Sequence, residues 1–386
     1  MKIPLAQPDI TNLERKEVLR VLKTPNLSLG PKLREFEQRI AKYIRVKYAV
    51  AVSSGTSGLH LIIKALGIKE GDEVITTPFS FIASSNCILY ERAKPVFVDI
   101  EEETYNIDPQ KIEEKITKKT KAILAVDVFG HPADWDTLNK LAKKHNLYLI
   151  EDSAEAFGSE YASLDISQRG KYKWKKCGSF GHVAILSFYP NKQITTGEGG
   201  IILTNNKKIA DLCRSMTNQG RRVKSGKWLE HIRLGFNYRM SDINAALGIA
   251  QLKRLKQIFG KRKKVAQIYN KKLGSFLEIK IPSVAQNVKI SWFVYVIMLS
   301  RKYSKKDRDL IIKEMAKKGI QCSTYFQSIH LQPFYRKMFN YKLGSFPISE
   351  NVSQRSIALP FFNNLKEREI NYVAKTLKKI LWTIKK

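Results

Sequence analysis

The chain has 386 residues, 43% of them hydrophobic, and carries 68 Lys and Arg against 35 Asp and Glu, a formal charge of +33. That length exceeds what one compact core normally holds, so two domains are expected. No run approaches 18 apolar residues and no charged-then-apolar leader pattern opens the chain, so neither a transmembrane segment nor a secretory signal is expected and the cytoplasm is the default location. The four cysteines, Cys87, Cys177, Cys213 and Cys322, lack CxxC or His-paired spacing, so no metal site is implied and free thiols are expected.

From Tyr48 onward, strand-like and helix-like segments alternate. Strand-like runs fall at 49–52, 73–76, 95–99, 122–127, 148–150, 184–188 and 200–204, with periodic helical segments between most of them. This pattern predicts an α/β fold with a mostly parallel sheet wrapped by helices. A helical stretch over 237–273 then leads into a strand at 293–299 and helices at 305–318 and 365–383. These read as a smaller α+β domain, which divides the chain into 1–250 and 251–386.

Three short segments carry chemistry. After the first strand, SSGTSG (53–58) precedes a helical pattern with Leu59, Ile62, Ile63 and Leu66 on one face. Small residues at a helix N-terminus gather N–H groups and hydroxyls, a cup suited to phosphate. The turn is neither GxxxxGK[ST] nor GxGxxG and is weak evidence alone. Further on, LYLIEDSAEAFG places Glu151 and Asp152 at the end of a buried strand, the edge of an α/β sheet where ligands bind. A carboxylate there can keep a pyridine nitrogen protonated; the plainer reading is that Asp152 caps a helix starting at Ser153. Lys192 lies in SFYPNKQITTGEGG (187–200), between an apolar run and a glycine-rich turn. A lysine there is usually only solvated, but it is also well placed for a Schiff base with a carbonyl cofactor. Phosphate cup, carboxylate and lysine in that chain order are what lift each above its plain reading.

The chain closely resembles the DegT-type (DegT/DnrJ/EryC/StrS) pyridoxal-phosphate-dependent sugar-nucleotide aminotransferases, the perosamine-synthase-like members included. The motifs that carry the likeness run nearly end to end: SSGTSGLH, GDEVITTPFSFIAS, AKPVFVDI, TKAILAVDVFGHPADWDTL, LIEDSAEAFGS, GSFGHVAILSFYPNKQITTGEGG, GFNYRMSDINAALGIAQL and SIHLQPFY. The resemblance implies an aspartate aminotransferase-like fold (PLP fold type I) and pyridoxal 5'-phosphate (PLP) as cofactor. It implies that Lys192 binds PLP covalently, Asp152 pairs with the ring nitrogen, Thr56, Ser57 and Ser187 hold the phosphate, and Phe81 stacks on the ring. Asn237 of the GxNYRM-like motif would reach the phosphate in a partner subunit, which makes a homodimer with shared sites. Tyr325 and His330 match positions near the substrate. Without the motif context, core packing would suffice for Phe81, a loop hydrogen bond for Asn237, and an exposed, inert loop residue for His330. The implied reaction moves the amino group of glutamate to the keto carbon of a nucleotide-linked deoxysugar, a 4-keto-6-deoxy sugar or less often a 3-keto one, for surface polysaccharide such as O-antigen. A dehydratase branch of similar proteins replaces the lysine, so Lys192 argues against it.

Two departures stand out. Glu155 occupies a position where the family usually has Gln or His; it is either a neutral acid beside the cofactor's phenolic oxygen, with a raised pKa, or a solvated helix residue. The segment 161–176, YASLDISQRGKYKWKK, is longer than the family's usual link and carries Lys171, Lys173, Lys175 and Lys176. It lacks apolar periodicity, so a surface excursion is expected, with an approach to an anionic partner as the sharper alternative. The remaining lysines spread through helix-like segments at 111–121, 138–145 and 252–264. That spread fits solubility, attraction of anionic substrates or an anionic membrane surface. No nucleic-acid recognition motif gathers them, although a nucleic-acid-binding or regulatory protein on a degenerate aminotransferase fold is the rival that the charge suggests.

Overall fold

The computed structural model describes residues 1–165, 171–222 and 230–384. Two helices, α1 (Asn12–Leu22) and α2 (Pro31–Ile44), precede strand β1 (Tyr48–Val52), helix α3 (Gly55–Ala65), β2 (Glu73–Thr76), α4 (Ala83–Tyr90), β3 (Lys94–Phe97), β4 (Thr120–Val126), α5 (Trp135–Lys144) and β5 (Tyr148–Asp152). There follow β6 (Glu160–Asp165), β7 (Lys171–Lys176), β8 (Val183–Ser187), β9 (Gly200–Thr204), α6 (Lys207–Thr217), α7 (Asp242–Lys253) and α8 (Leu255–Leu273). The remainder holds β10 (Ile279–Lys280), β11 (Val288–Lys289), β12 (Tyr295–Leu299), α9 (Lys305–Lys317), α10 (Pro333–Phe339), α11 (Pro347–Arg355), β13 (Ser356–Leu359) and α12 (Glu367–Ile384).

Seven strands form the central sheet in the order β1-β9-β8-β5-β4-β2-β3. Only β9 runs antiparallel, to both β1 and β8; the pairs from β8 to β3 are parallel. Both faces are covered, which explains why these strands read as continuous apolar runs rather than alternating ones. In β1, Val50 and Val52 pack with Leu59, Ile62 and Ile63 of α3, while Ala49 and Ala51 pack with Phe36, Ile40 and Ile44 of α2. Helix α5 buries Trp135, Leu138 and Ala142 against Ile123, Ala125 and Leu149. Toward the C-terminus, a three-stranded antiparallel sheet, β10-β12-β13, is covered by α8, α9 and α12 through Tyr269, Ile311, Met315, Val373 and Leu377. Its opposite face, through Val296, Met298 and Ala358, joins the core of the large sheet.

Local departures from the sequence reading have local causes. The 161–176 segment is not an irregular excursion: β6 and β7 pair antiparallel and join β11 in a small sheet, and residues 166–170 lie outside the described residues. Tyr161 and Ala162 of β6 are buried while Lys173 and Lys175 of β7 are exposed. Lys289 Nζ lies 3.7 Å from the centroid of the Trp174 ring, and Glu160 binds both Lys176 and Lys289. The 111–121 stretch forms no helix; two short 3₁₀ turns, Pro109–Lys111 and Glu113–Lys115, lead into β4. The long helical run begins only at Asp242, where Ser241 caps it, and breaks at Arg254 into α7 and α8. No helix starts at Ser153: Asp152 Oδ1 accepts the Ala154 N–H at 3.1 Å within a turn. Among the described residues, no helix is long and apolar enough to cross a membrane.

Candidate active site

Parallel strands that run in one direction deliver their following residues to one edge, where ligands bind in such folds. Here that edge opens into a cleft of about 540 Å³. Its wall takes Ser54, Gly55 and Thr56 after β1, Ser80 and Phe81 after β2, Val126 and Asp152 at the ends of β4 and β5, and Ser187 at the end of β8. Glu155, Tyr189, Asn191 and Lys192 come from the loops that follow, and Phe293, Thr324, Tyr325 and Phe326 close it from the C-terminal part. Thus seven of the ten residues singled out above reach one cleft: Thr56, Phe81, Asp152, Glu155, Ser187, Lys192 and Tyr325.

Lys192 Nζ lies 3.5 Å from Glu155 Oε1 and 4.1 Å from the centroid of the Phe293 ring. Its backbone is fixed from outside the motif: Arg262, 3% exposed, donates to the Lys192 carbonyl at 3.0 Å and to the Phe293 carbonyl at 3.1 Å. No carboxylate bonds Arg262 among the described residues, and burial pulls its pKa down to about 10. Nothing in the lysine-rich 252–264 stretch marks it as a site residue. Asp152 is buried; Ser84 Oγ donates to its Oδ2 at 2.7 Å. Burial raises the Asp152 carboxyl, and Ser84, the Ala154 N–H and Lys192 oppose that rise. Ser84 follows FSFI on α4, 68 positions from Asp152, and the sequence gives no sign of the pairing.

Glu155 resolves one of the open alternatives. It is 5% exposed and stands in a turn, so it is no solvated helix residue. Its Oε2 accepts the Phe129 N–H at 2.9 Å; burial raises its pKa, and Lys192 acts against that shift.

The cup at the start of α3 is built by backbone. Ser54 caps the helix, and Ser57 is absorbed into that cap: its N–H donates to Ser54 Oγ at 3.0 Å and its Oγ to the Ser54 carbonyl at 2.8 Å. Ser57 therefore faces the cap rather than the cleft, a correction to its expected place beside a phosphate. The N–H groups of Gly55 and Thr56, at the first positions of the helix, have no intrahelical partner. A Cβ on Gly55 would come within 3.2 Å of Ser187 Cβ, and one on Gly200 within 2.7 Å of the Ser54 carbonyl carbon and oxygen. Glycine at both positions keeps Thr56 and Ser187 close around one concave surface.

His330 is corrected as well. It is fully buried rather than exposed in a loop, and its Nε2 bonds Glu350 Oε1 at 2.8 Å. Burial lowers its pKa, with Glu350 opposing, and it does not line the cleft. Asn237 pairs with Asn218 in an isolated bridge and also stays outside this cleft.

A strand-end carboxylate, a lysine and an N-terminal helix cup around one cleft on a mostly parallel sheet are the parts of a PLP enzyme. The donor set fits the cofactor: N–H and hydroxyl groups for its phosphate, a carboxylate for its ring nitrogen, an amine for its carbonyl carbon. Residues 8–378 match the DegT/DnrJ/EryC1/StrS aminotransferase family, and the chain belongs to that family. It is 38% identical to the GDP-perosamine synthase of Escherichia coli O157:H7 over 97% of both chains. Its fold superposes on PseC of Helicobacter pylori, an aminotransferase involved in pseudaminic acid biosynthesis, with TM-score 0.92 and 29% identity over 99% of this chain and 100% of that one. Spr1654 of Streptococcus pneumoniae in its PLP form matches with TM-score 0.91 and 28% identity over 100% of both. The chain is a sugar aminotransferase that uses pyridoxal 5'-phosphate.

Proposed function

We propose that the enzyme moves the amino group of glutamate to the keto carbon of a nucleotide-linked keto-deoxysugar, a 4-keto-6-deoxy sugar, in the cytoplasm, for surface polysaccharide such as O-antigen. The observation that carries this reading is the convergence of Lys192, Asp152 and Glu155 on one cleft beside the α3 cup. The names of the relatives, a GDP-perosamine synthase and a pseudaminic acid enzyme, favour a nucleotide sugar as acceptor. Residues 1–250 hold the cofactor, and 251–386 form the smaller domain that closes the cleft.

Thr56, Ser187 and the first N–H groups of α3 hold the cofactor's phosphate, Phe81 covers its ring, and Lys192 binds its carbonyl carbon. PLP bound there supplies an electron sink for the amino-bearing carbon. Asp152 keeps a proton at the ring nitrogen. Lys192 Nζ, in reach of Glu155, takes and returns the proton at the amino-bearing carbon as general base and acid. Glu155, bonded to the Phe129 N–H, would serve as the hydrogen-bonding acid for the cofactor's phenolic oxygen. Tyr325 borders the substrate space. Two copies form a homodimer in which Asn237 of each reaches the phosphate held by the other.

The test is direct. Pure protein with PLP should show a visible-edge absorbance band that bleaches with glutamate, and should aminate one member of a panel of keto nucleotide sugars. Lys192→Ala should lose the band and lower turnover by roughly 10²-fold or more. A colourless protein that binds duplex DNA with steep salt dependence would instead support the degenerate-fold rival.

A further inference from the structure

Glu151 precedes Asp152 on β5, so its side chain points to the other face of the sheet. There it meets Asp127, which follows β4, and Cys177, which follows β7. The three are fully buried, and their oxygen and sulfur atoms lie within 4.8 Å of one another. Neither carboxyl has a Lys or Arg partner among the described residues. Ser153 sits between the two acids: its Oγ is 2.6 Å from Asp127 Oδ2 and 2.8 Å from Glu151 Oε1.

A serine hydroxyl has one hydrogen to donate. With both acids ionised, one of those two contacts would press a lone pair against an anionic oxygen with no hydrogen between them. Burial makes that repulsion severe. One carboxyl must therefore supply the second hydrogen, and the other donors decide which. Glu151 Oε1 accepts the Gly178 N–H, and Oε2 accepts those of Phe180 at 2.7 Å and Gly181 at 3.2 Å, so both oxygens face main-chain donors. Asp127 Oδ1 accepts the Ala133 N–H at 2.9 Å and the Trp135 indole N–H at 3.1 Å. Its Oδ2 receives no main-chain N–H among the described residues.

We propose that Asp127 is a neutral carboxylic acid in the folded protein that donates from Oδ2 to Ser153 Oγ, which donates in turn to ionised Glu151, and that this directed chain positions the active-site edge. Its members are tied to that edge. The Asp127 N–H donates to the Asp152 carbonyl at 3.0 Å and the Ser153 N–H to the Ile185 carbonyl at 3.0 Å. Glu151 grips the turn over 178–181 that leads into β8 and Ser187. Burial, reinforced by the Glu151 charge, pushes the Asp127 carboxyl well above its ordinary range, against Ser153, the Ala133 N–H and the Cys177 thiol; burial raises Glu151 too, but there the Gly178 N–H, Ser153 and the Phe180 and Gly181 N–H groups act against it. The Cys177 thiol is itself driven up by burial and by both acids.

Infrared spectroscopy of the full chain at neutral pH reads the proton without turnover, so its outcome is separate from the transamination reading. Wild type should show the carbonyl stretch of a protonated carboxylic acid, shifted in D₂O and lost in Asp127→Asn. In Ser153→Ala the band should move to the higher frequency of a less strongly bonded acid, a result that does not depend on the first variant folding. For the positioning role, Asn can still accept on Oδ1 and donate to Ser153, so Asp127→Asn should bind PLP roughly tenfold or more tightly than Asp127→Ala, about one hydrogen bond to a charged network. No Asp127-dependent acid band, a band unmoved in Ser153→Ala, or equal PLP affinity in the two Asp127 variants would overturn the proposal.

Discussion

Ser84→Ala isolates the electrostatics of Asp152, the carboxylate proposed for the cofactor's ring nitrogen. Burial raises Asp152, and the Ser84 hydroxyl, 2.7 Å from Oδ2, is the strongest influence opposing that rise. A hydrogen bond to a charged acceptor is worth about 1.5–3 kcal/mol net. At about 1.4 kcal/mol per pKa unit, its loss raises the acid by roughly 1–2 units. The substitution is otherwise mild. Alanine favours the helix in which residue 84 sits, Ser80 Oγ keeps the Phe81 carbonyl as acceptor at 3.0 Å, and Asp152 keeps the Ala154 N–H. The acid becomes easier to protonate, so the ring nitrogen loses its anionic partner at higher pH than in wild type. The acid limb of kcat, and of the bound-cofactor absorbance, should move up by about 1–2 pH units, belonging to the coupled pair rather than to one group. The alkaline plateau should stay within a few fold, and Ser84→Thr should restore the limb. An acid limb that stays in place while the protein folds and binds PLP would refute the assignment of Asp152.

Glu155→Gln keeps an acceptor for the Phe129 N–H. Because burial raises Glu155 above its ordinary 4.5, the folded protein holds a proton that the unfolded chain releases, so wild-type stability falls as pH rises from 4.5 through the folded value; the variant should lose that part of the slope, and parallel melting-versus-pH curves would contradict it. Gly200→Ala drives a Cβ to within 2.7 Å of the Ser54 carbonyl group. About 1–3 kcal/mol of overpacking at the phosphate cup should appear as weaker PLP binding, and an unchanged affinity would show that the cup is not rigid. Phe36, fully buried and edge-on to Phe188 at 5.3 Å, should cost about 3–5 kcal/mol when cut to alanine, measured by denaturant unfolding; a loss under about 1 kcal/mol would mean the α2 layer is not part of the cooperative core.

What the sequence disclosed follows from how local each signal is. Strands buried on both faces stand out as unbroken apolar runs, and 73–76 and 200–204 coincide with β2 and β9. The β6–β7 hairpin did not stand out, because four of the six residues of β7 are lysines and the partner strand β11 is more than 100 residues away. The break at Arg254 is silent because no Pro or Gly marks it in the sequence. Asp152, at the end of β5, and Lys192, in the loop after β8, both lie in short contiguous motifs, and both line the cleft. Their supports, Ser84 and Arg262, stand 68 and 70 positions away; Ser84 ends the motif GDEVITTPFSFIAS, but nothing in that motif announces its pairing with Asp152. His330 misled for the same reason: its partner Glu350 lies 20 residues downstream, and only that contact turns a loop histidine into a buried one.

The charge of the chain and the charge of its cleft point in opposite directions. Among the residues lining the cleft, Asp152, Glu155 and Glu198 oppose the single cation Lys192, yet the ligands proposed for it, a phosphate cofactor, glutamate and a nucleotide sugar, are all anionic. Local pairing cannot draw them in; the N-terminus of α3 supplies only a partial positive charge. The overall +33 has the sign of a long-range field that would raise encounter rates with anions and weaken with salt. Near Asn237, another cavity of about 280 Å³ is lined by Arg34, Arg214, Arg221, Arg222 and Arg239, with Arg214 paired to Glu37 and Arg222 to Glu230. If the field does this work, turnover at low substrate should fall with added salt, whereas a charge that serves only solubility would leave it unchanged.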